Sequence, residues 1–196
     1  ANVRGVSFSG AMHSVLPVDG EGRPLGRALT WADGRPGRWA NHLREHEDAL
    51  GTYTRTGTPP FAMSPLAKLR WIHEERPDLA RAARFVSVKE YVTRALCGEW
   101  AVDHSVASAT GLMDARLLDW DPEALRLARV TPERLSPLVS PLARLPRLLP
   151  DMASATGLRP DTPLVIGGND GALANLGSHA TAGGVAAVSL GTSGAV

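Results

Sequence analysis

Residues 165–177 read VIGGNDGALANLG, and their one acidic residue is Asp170. An apolar run, two glycines and a series of small residues predict a strand, a turn and a helix, with the carboxylate near the junction. Asp at that place has two uses. It is among the best residues for capping a helix N-terminus, and a carboxylate at the mouth of a cleft can accept a proton from a reacting hydroxyl.

Four other stretches carry residue types that do chemistry. SLGTSG at 189–194 sets Thr192 and Ser193 between Gly191 and Gly194. Its backbone N–H groups and the Thr192 hydroxyl could cradle phosphate oxygens, or the stretch is an ordinary glycine turn. It lacks the Gly-Lys-Ser/Thr of a Walker A loop, and no helix follows it as a dinucleotide fingerprint requires. HLREH at 42–46 matches the inverted zinc motif, with His42 and His46 one turn apart and Glu45 beside them. A zinc hydrolase needs a third ligand and a sheltered pocket, whereas the surrounding RWANHLREHEDAL is polar on most faces, so a solvated helix is the expectation there. AMHS places His13 just past a strand end, where open α/β sheets build ligand crevices. TWAD offers Trp31 either as packing or as an apolar wall against the C–H faces of a sugar.

The elements that must position these residues are legible in outline. VRGVSFSG alternates and ends in Gly10, a strand signal. HSVLPVDGEGRPLGRALTW predicts a hairpin around DGEG. Residues 35–50, polar apart from such residues as Leu43 and Leu50, predict a mostly exposed helix. SPLAKLRWIHEE predicts a helix capped by Ser64 with Pro65 in its first turn and Leu66, Leu69 and Ile72 on one face. Lys68, Trp71 and Glu75 fall at i, i+3 and i+7 and predict an exposed polar-aromatic stripe. RPDLARAARF and VKEYVTRALCGEW predict two more helices, the second closed by Gly98. Asp121 with Pro122, and Thr131 with Pro132, predict helix starts. Residues 140–150 predict a connector, TPLVIGG a buried strand, and GGVAAVSLGTSG a strand and turn. Strands and helices mix without strict alternation, which predicts an α/β domain with a helical insertion.

The composition sets bounds on partners. The chain has 196 residues, 43% hydrophobic and 21% charged, with a formal net charge of +1. That allows a sizeable core and gives no electrostatic footprint for nucleic acid. Cys97 is the only cysteine, so no internal disulfide forms and a reducing cytoplasm is expected. No apolar run is long enough to span a membrane. The chain begins without Met and stops just after a glycine turn, so it is expected to be a piece of a longer protein.

Taken in order, SGAMHS, LTWADGR, MSPLAKLRWIHEE, DHSVASATGL, LDWDPEAL, GGNDGALANLG and SLGTSG resemble the FGGY carbohydrate kinases along essentially the whole chain. MSPLAKLRWIHEE carries the most specific match, with Met63, Pro65, Lys68, Trp71, Ile72, Glu74 and Glu75 at the places of the family signature. The resemblance implies an incomplete actin-like ATPase fold of ribonuclease-H-like domains. Residues 1–180 would be most of the sugar-binding domain without its opening phosphate-loop hairpin, and 181–196 the start of the ATP-binding domain. It implies ATP and Mg²⁺ as cofactors, a sugar or sugar acid as substrate, and a homodimer as a possible assembly. Asp170 would be the catalytic base and a substrate contact, Met12 and His13 the substrate-contacting pair, Trp31 an aromatic wall and Met63 part of the closing segment. Gly191, Thr192 and Ser193 would bind ATP phosphates.

Within the family, SFSGAMHSVLPVD, GTPPFAMSPLAKLRWI and GEWAVDHSVASATGL most resemble gluconokinases, which implies phosphorylation of D-gluconate to 6-phosphogluconate. Xylulokinases usually carry Pro-Lys-Asp-Tyr where Val88-Lys89-Glu90-Tyr91 stand, and glycerol kinases Arg-Glu where Met12-His13 stand. Xylulose or another sugar remains the alternative substrate. A non-catalytic sugar-binding remnant is the alternative from another class, and zinc hydrolysis through His42 and His46 a remote one. Alone, these residues are expected to be inactive.

Overall fold

The computed structural model describes residues 3–190 together with 194 and 195, and of residues 189, 190, 194 and 195 it describes the backbone. The chain opens with strands β1 (Val6–Gly10) and β2 (Leu16–Val18) and helices α1 (Gly37–His46), α2 (Ala49–Thr56), α3 (Pro65–Glu75) and α4 (Pro77–Ala80). Strand β3 (Arg84–Val86), helix α5 (Val88–Cys97), strand β4 (Val102–Asp103) and helix α6 (His104–Ser108) follow. Then come β5 (Met113–Asp114), β6 (Asp119–Trp120), α7 (Pro122–Ala128), β7 (Leu138–Val139) and α8 (Pro150–Thr156). Strand β8 (Leu164–Asn169), helix α9 (Asp170–Gly177) and the short strands β9 (Ser189–Leu190) and β10 (Gly194–Ala195) end it.

Parallel β1 and β8 form the pair that matters for function, with Gly10 opposite Asn169 at their C-terminal ends. The register shifts between Ser7 and Ser9, and Gly167 sits opposite this irregularity with φ +68°. A Cβ at Gly167 would lie 2.0 Å from the Phe8 carbonyl oxygen, so only glycine lets the two backbones approach there. Gly167 therefore serves a bulge inside the strand, not the turn after it, while a Cβ at Gly168 would meet Ser105 Oγ at 3.0 Å.

Helix α3 is the centre of the main core. Ser64 accepts a hydrogen bond from Ala67 N–H and Pro65 occupies the first turn. Residues Pro65 through Ile72 are all buried, so the helix is enclosed on every face up to its last turn, packed against α1 and α7 through Leu43, Leu66, Leu69, Ile72, Leu125 and Leu127. A second cluster, Cys97, Leu148, Ala153 and Leu164, supports β8 from the other side. Helix α5 carries a complete capping box between Ser87 and Glu90 and ends at Gly98 in the left-handed conformation.

Several expectations change. The hairpin has one regular arm, since β2 takes β3 as its antiparallel partner and meets the second arm only at the bridges Val15–Leu29 and Val18–Pro24. Around the second bridge Leu25 N–H donates to the Pro17 carbonyl and Asp19 N–H to the Arg23 carbonyl. RPDLARAARF keeps one helical turn because Phe85 and Val86 are buried in β3 instead. The connector at 140–150 is followed by helix α8, with Pro150 in its first turn. Leu50 is 75% exposed, while Ala40 and Leu43 form the inner face of α1. The stripe Lys68–Trp71 is buried, against the expected exposed face: Lys68 is 0% and Trp71 5% exposed. Trp71 Nε1 and Trp39 Nε1 both donate to the Glu75 carboxylate, at 3.0 and 2.7 Å.

Candidate active site

The register of β1 and β8 brings two loops side by side, Ala11-Met12-His13 after one strand and the start of α9 after the other. Asn169, not Asp170, caps α9, its side chain accepting from Ala172 N–H at 2.7 Å. That frees Asp170 to stand exposed as the first helical residue, with Oδ1 accepting from Gly171 N–H at 3.0 Å. A Cβ at Gly171 would lie 3.3 Å from Met12 Cε, which places Met12 against the first turn of this helix.

A buried polar network holds the end of β8. Lys89 Nζ donates to Asp103 Oδ2 at 2.7 Å and to the Gly168 carbonyl at 3.1 Å. Asp103 Oδ1 accepts from the Ser105 and Val106 N–H groups and caps α6. Ser105 Oγ accepts from Asn169 N–H at 2.8 Å, and Asn169 Nδ2 donates to the Ser105 carbonyl. Charge and hydrogen bonds are thus mutually satisfied directly behind Asp170, which is the condition under which a buried ion pair fixes a geometry.

His13 is held from three sides. Its backbone is left-handed at φ 66°, uncommon for a residue with a side chain. The ring packs edge-on against Phe61, with centroids 5.4 Å apart. Nδ1 lies 2.9 Å from the Ala109 carbonyl, an acceptor, so Nδ1 carries the proton and Nε2 is left as a lone-pair acceptor. Burial holds the imidazole pKa below its ordinary value; the Ala109 carbonyl and the negative charge of Asp170 oppose that shift, and Lys68 adds to it. Lys68 Nζ donates to the His13 carbonyl and, at 2.8 Å, to the Thr30 carbonyl. Burial pushes its pKa down to about 8, against the weaker pull of Asp33.

A cavity of about 480 Å³ opens between these loops and α5, lined by Gly10, Met12, Thr30, Trp31, Val88 and Lys89 among others. Its size falls in the range of small-molecule sites. Trp31 is 55% exposed on its wall. Met12 and Trp31 line this cavity, whereas His13 and Asp170 do not; Met12 lies against the first turn of α9, and Asp170 is close enough for its charge to act on His13. Met63 is 38% exposed next to the helix start, close in sequence to Phe61, and does not line the cavity. Gly191, Thr192 and Ser193 lie outside the described residues. His42 and His46 lie tilted by 47° with ring centroids 4.8 Å apart, but among the described residues no group of three His, Cys, Asp or Glu side chains is placed to hold a metal. Mg²⁺ in phosphoryl transfer is bound through one or two carboxylates plus substrate phosphates. Asp170, an exposed carboxylate at the start of α9, is of the type that would supply that modest protein share.

Sequence reasoning singled out neither Asp103 nor Ser105, and it placed Lys68 in the family signature but on an exposed face. The Asp-x-Ser spacing ahead of a small-residue run was a capping signal for α6; nothing local marked Lys68 as buried.

Residues 1–177 match the model of the FGGY family of carbohydrate kinases, N-terminal domain. Over 192 residues the chain is 45% identical to a gluconokinase of Bacillus subtilis (strain 168), covering 97% of this chain and 37% of that protein. A ligand-bound xylulose kinase from Lactobacillus acidophilus superposes with a TM-score of 0.88 at 26% identity, covering 92% of this chain and 37% of that one. A gluconate kinase from Lactobacillus acidophilus gives the same figures. The chain thus spans little more than a third of the length of these proteins.

Proposed function

The chain belongs to the FGGY family of carbohydrate kinases and carries part of their actin-like ATPase fold, and from that premise we propose that it serves ATP-dependent phosphorylation of a sugar acid, D-gluconate, to 6-phosphogluconate. The observation that carries the reading is the meeting of Asp170 with Met12 and His13 at the C-terminal ends of β1 and β8, beside the cavity walled by Trp31. Residues 1–180 form the sugar-binding part in this reading, and 181–196 begin the nucleotide-binding part.

Asp170 accepts the proton of the sugar hydroxyl as that oxygen attacks the terminal phosphoryl group in line. Such transfer depends mainly on positioning and charge stabilisation, so one well-placed carboxylate suffices as base. ATP with Mg²⁺ supplies the phosphoryl group and the neutralising charge. Neutral His13 presents an Nε2 acceptor for a substrate hydroxyl. The exposed Trp31 ring covers the C–H face of the sugar. Gly191, Thr192 and Ser193 are proposed to hold ATP phosphates. Lys89 is committed to Asp103 and Gly168, so it positions the strand end and does not serve as a free carboxylate receptor. The cytoplasm is the proposed compartment, in keeping with the free, buried Cys97. The proposed assembly is a homodimer.

Gluconate is favoured by the 45% identity to the Bacillus subtilis gluconokinase. The likeness to a xylulose kinase at 26% identity supports xylulose as the second reading. The test is ADP release by the protein as its gene encodes it, with D-gluconate, xylulose and glycerol at equal concentration. Gluconate-dependent release is expected. Release with xylulose alone would keep Asp170 as base and replace the substrate. No release with any of them would favour a non-catalytic sugar-binding role.

A further inference from the structure

Lys68 is the fully buried side chain with the largest volume among the described residues, in the middle of a helix otherwise enclosed by apolar neighbours. A lysine ammonium is rarely buried without a carboxylate beside it, because its lost hydration must be replaced. Among the described residues no acidic side chain is within ion-pairing distance of Nζ, and Asp33 acts on it only through space. An apolar side chain of the same length would fill the position without that cost. What the ammonium alone provides is donation to two acceptors at once, and those acceptors belong to separate loops. One is the His13 carbonyl, after β1; the other is the Thr30 carbonyl, directly before Trp31.

The loop geometry gives these bonds a task. His13 sits in a left-handed conformation that persists only where the surroundings over-determine it. Ala109 holds its ring, Phe61 packs its edge and Lys68 holds its carbonyl. Asp33, next to the Thr30 turn, is engaged by Arg35 through both carboxylate oxygens, so it is not drawn to Lys68.

We infer that Lys68 is a positioning residue of the cleft, a buried clamp that fixes the loop bearing Met12 and His13 to the loop bearing Trp31, and so sets the spacing of the two walls that grip the sugar. This rests on the reading of the cleft as the sugar site. Lys68 touches neither substrate nor nucleotide, so its loss weakens sugar binding while leaving the phosphoryl-transfer step intact.

The test compares the gene-encoded protein with Lys68→Met, and with Lys68→Gln, which keeps two N–H donors on a shorter arm. The expected result is a KM for the sugar at least about tenfold higher in Lys68→Met, with kcat and the KM for ATP changed less than about threefold, and a smaller effect in Lys68→Gln. Hydrogen exchange is measured on the same proteins. Segments 11–15 and 29–33 are expected to lose protection together while α7 keeps its own. That second readout judges the clamp even if no sugar supports ADP release, in which case the kinase reading fails separately. Unchanged exchange in both segments, a loss confined to kcat, or a uniform loss of protection through the core would overturn the inference. So would failure of both variants to fold, since Lys68 would then be a determinant of the fold and not of the cleft.

Discussion

Two side chains, Asp170 as the proposed base and Lys68 as the proposed clamp, were unequally legible. Asp170 stood out because an acid at a strand-to-helix junction has few roles, although Asn169 took the capping one. Asp170→Asn keeps the shape and the exposed position, so its melting behaviour should match the wild type while kcat falls by about 10²–10⁴; turnover near the wild-type rate would remove Asp170 as base. Lys68 yields a pH prediction with a definite sign. Its pKa falls on folding from 10.5 to about 8, so between those values the unfolded chain binds more protons than the folded one. The contribution of Lys68 to stability is therefore greatest above 10.5 and is lost as pH falls through about 8. Denaturation midpoints of wild type and Lys68→Met, measured from pH 7.5 to 10.5, should shift in favour of the wild type as pH rises, by up to about 3 kcal/mol.

At the scale of elements, the strand pair β1–β8 decides where every other part of the site goes. Its bulge at Gly167 sets how the strand ends are offset, and hence which residue of α9 faces Met12. Gly167→Ala would drive a methyl group into the Phe8 carbonyl and demand a left-handed alanine. A loss of about 3 kcal/mol is expected from overpacking and backbone strain together, read as a lower denaturant midpoint; a change below about 0.5 kcal/mol would mean that the strands reseat without the bulge. The α3 helix teaches the opposite lesson about elements. Ser64 and Pro65 made its start readable, and both serve as expected. Its burial was not readable, because a helix written with Lys, Arg, His and two Glu looks solvated until its polar atoms are seen to end on Trp39, Leu127, His13 and Thr30.

At the scale of the molecule, we propose the division into two parts at residue 180. Residues 181–186 are exposed and free of regular structure, whereas the core clusters end with β8. Brief treatment of the gene-encoded protein with a protease of broad specificity should cut between Ser178 and Val188 before it cuts within 3–177. First cleavage inside α3 or α7 would count against the boundary. The sequence by itself determined the family resemblance, the α/β class with a helical insertion, the helix starts at Ser64 and Asp121, and the candidacy of Asp170, Met12, His13 and Trp31. These follow from local chemistry, since caps, turns and motif spacing act over a few residues. Only the tertiary structure decided that β1 pairs with β8 across more than 150 intervening residues, that Lys89 and Asp103 brace the strand end, and that Lys68 is buried. Those outcomes depend on which groups distant in the chain come to exclude water from one another, and a linear pattern carries no record of that.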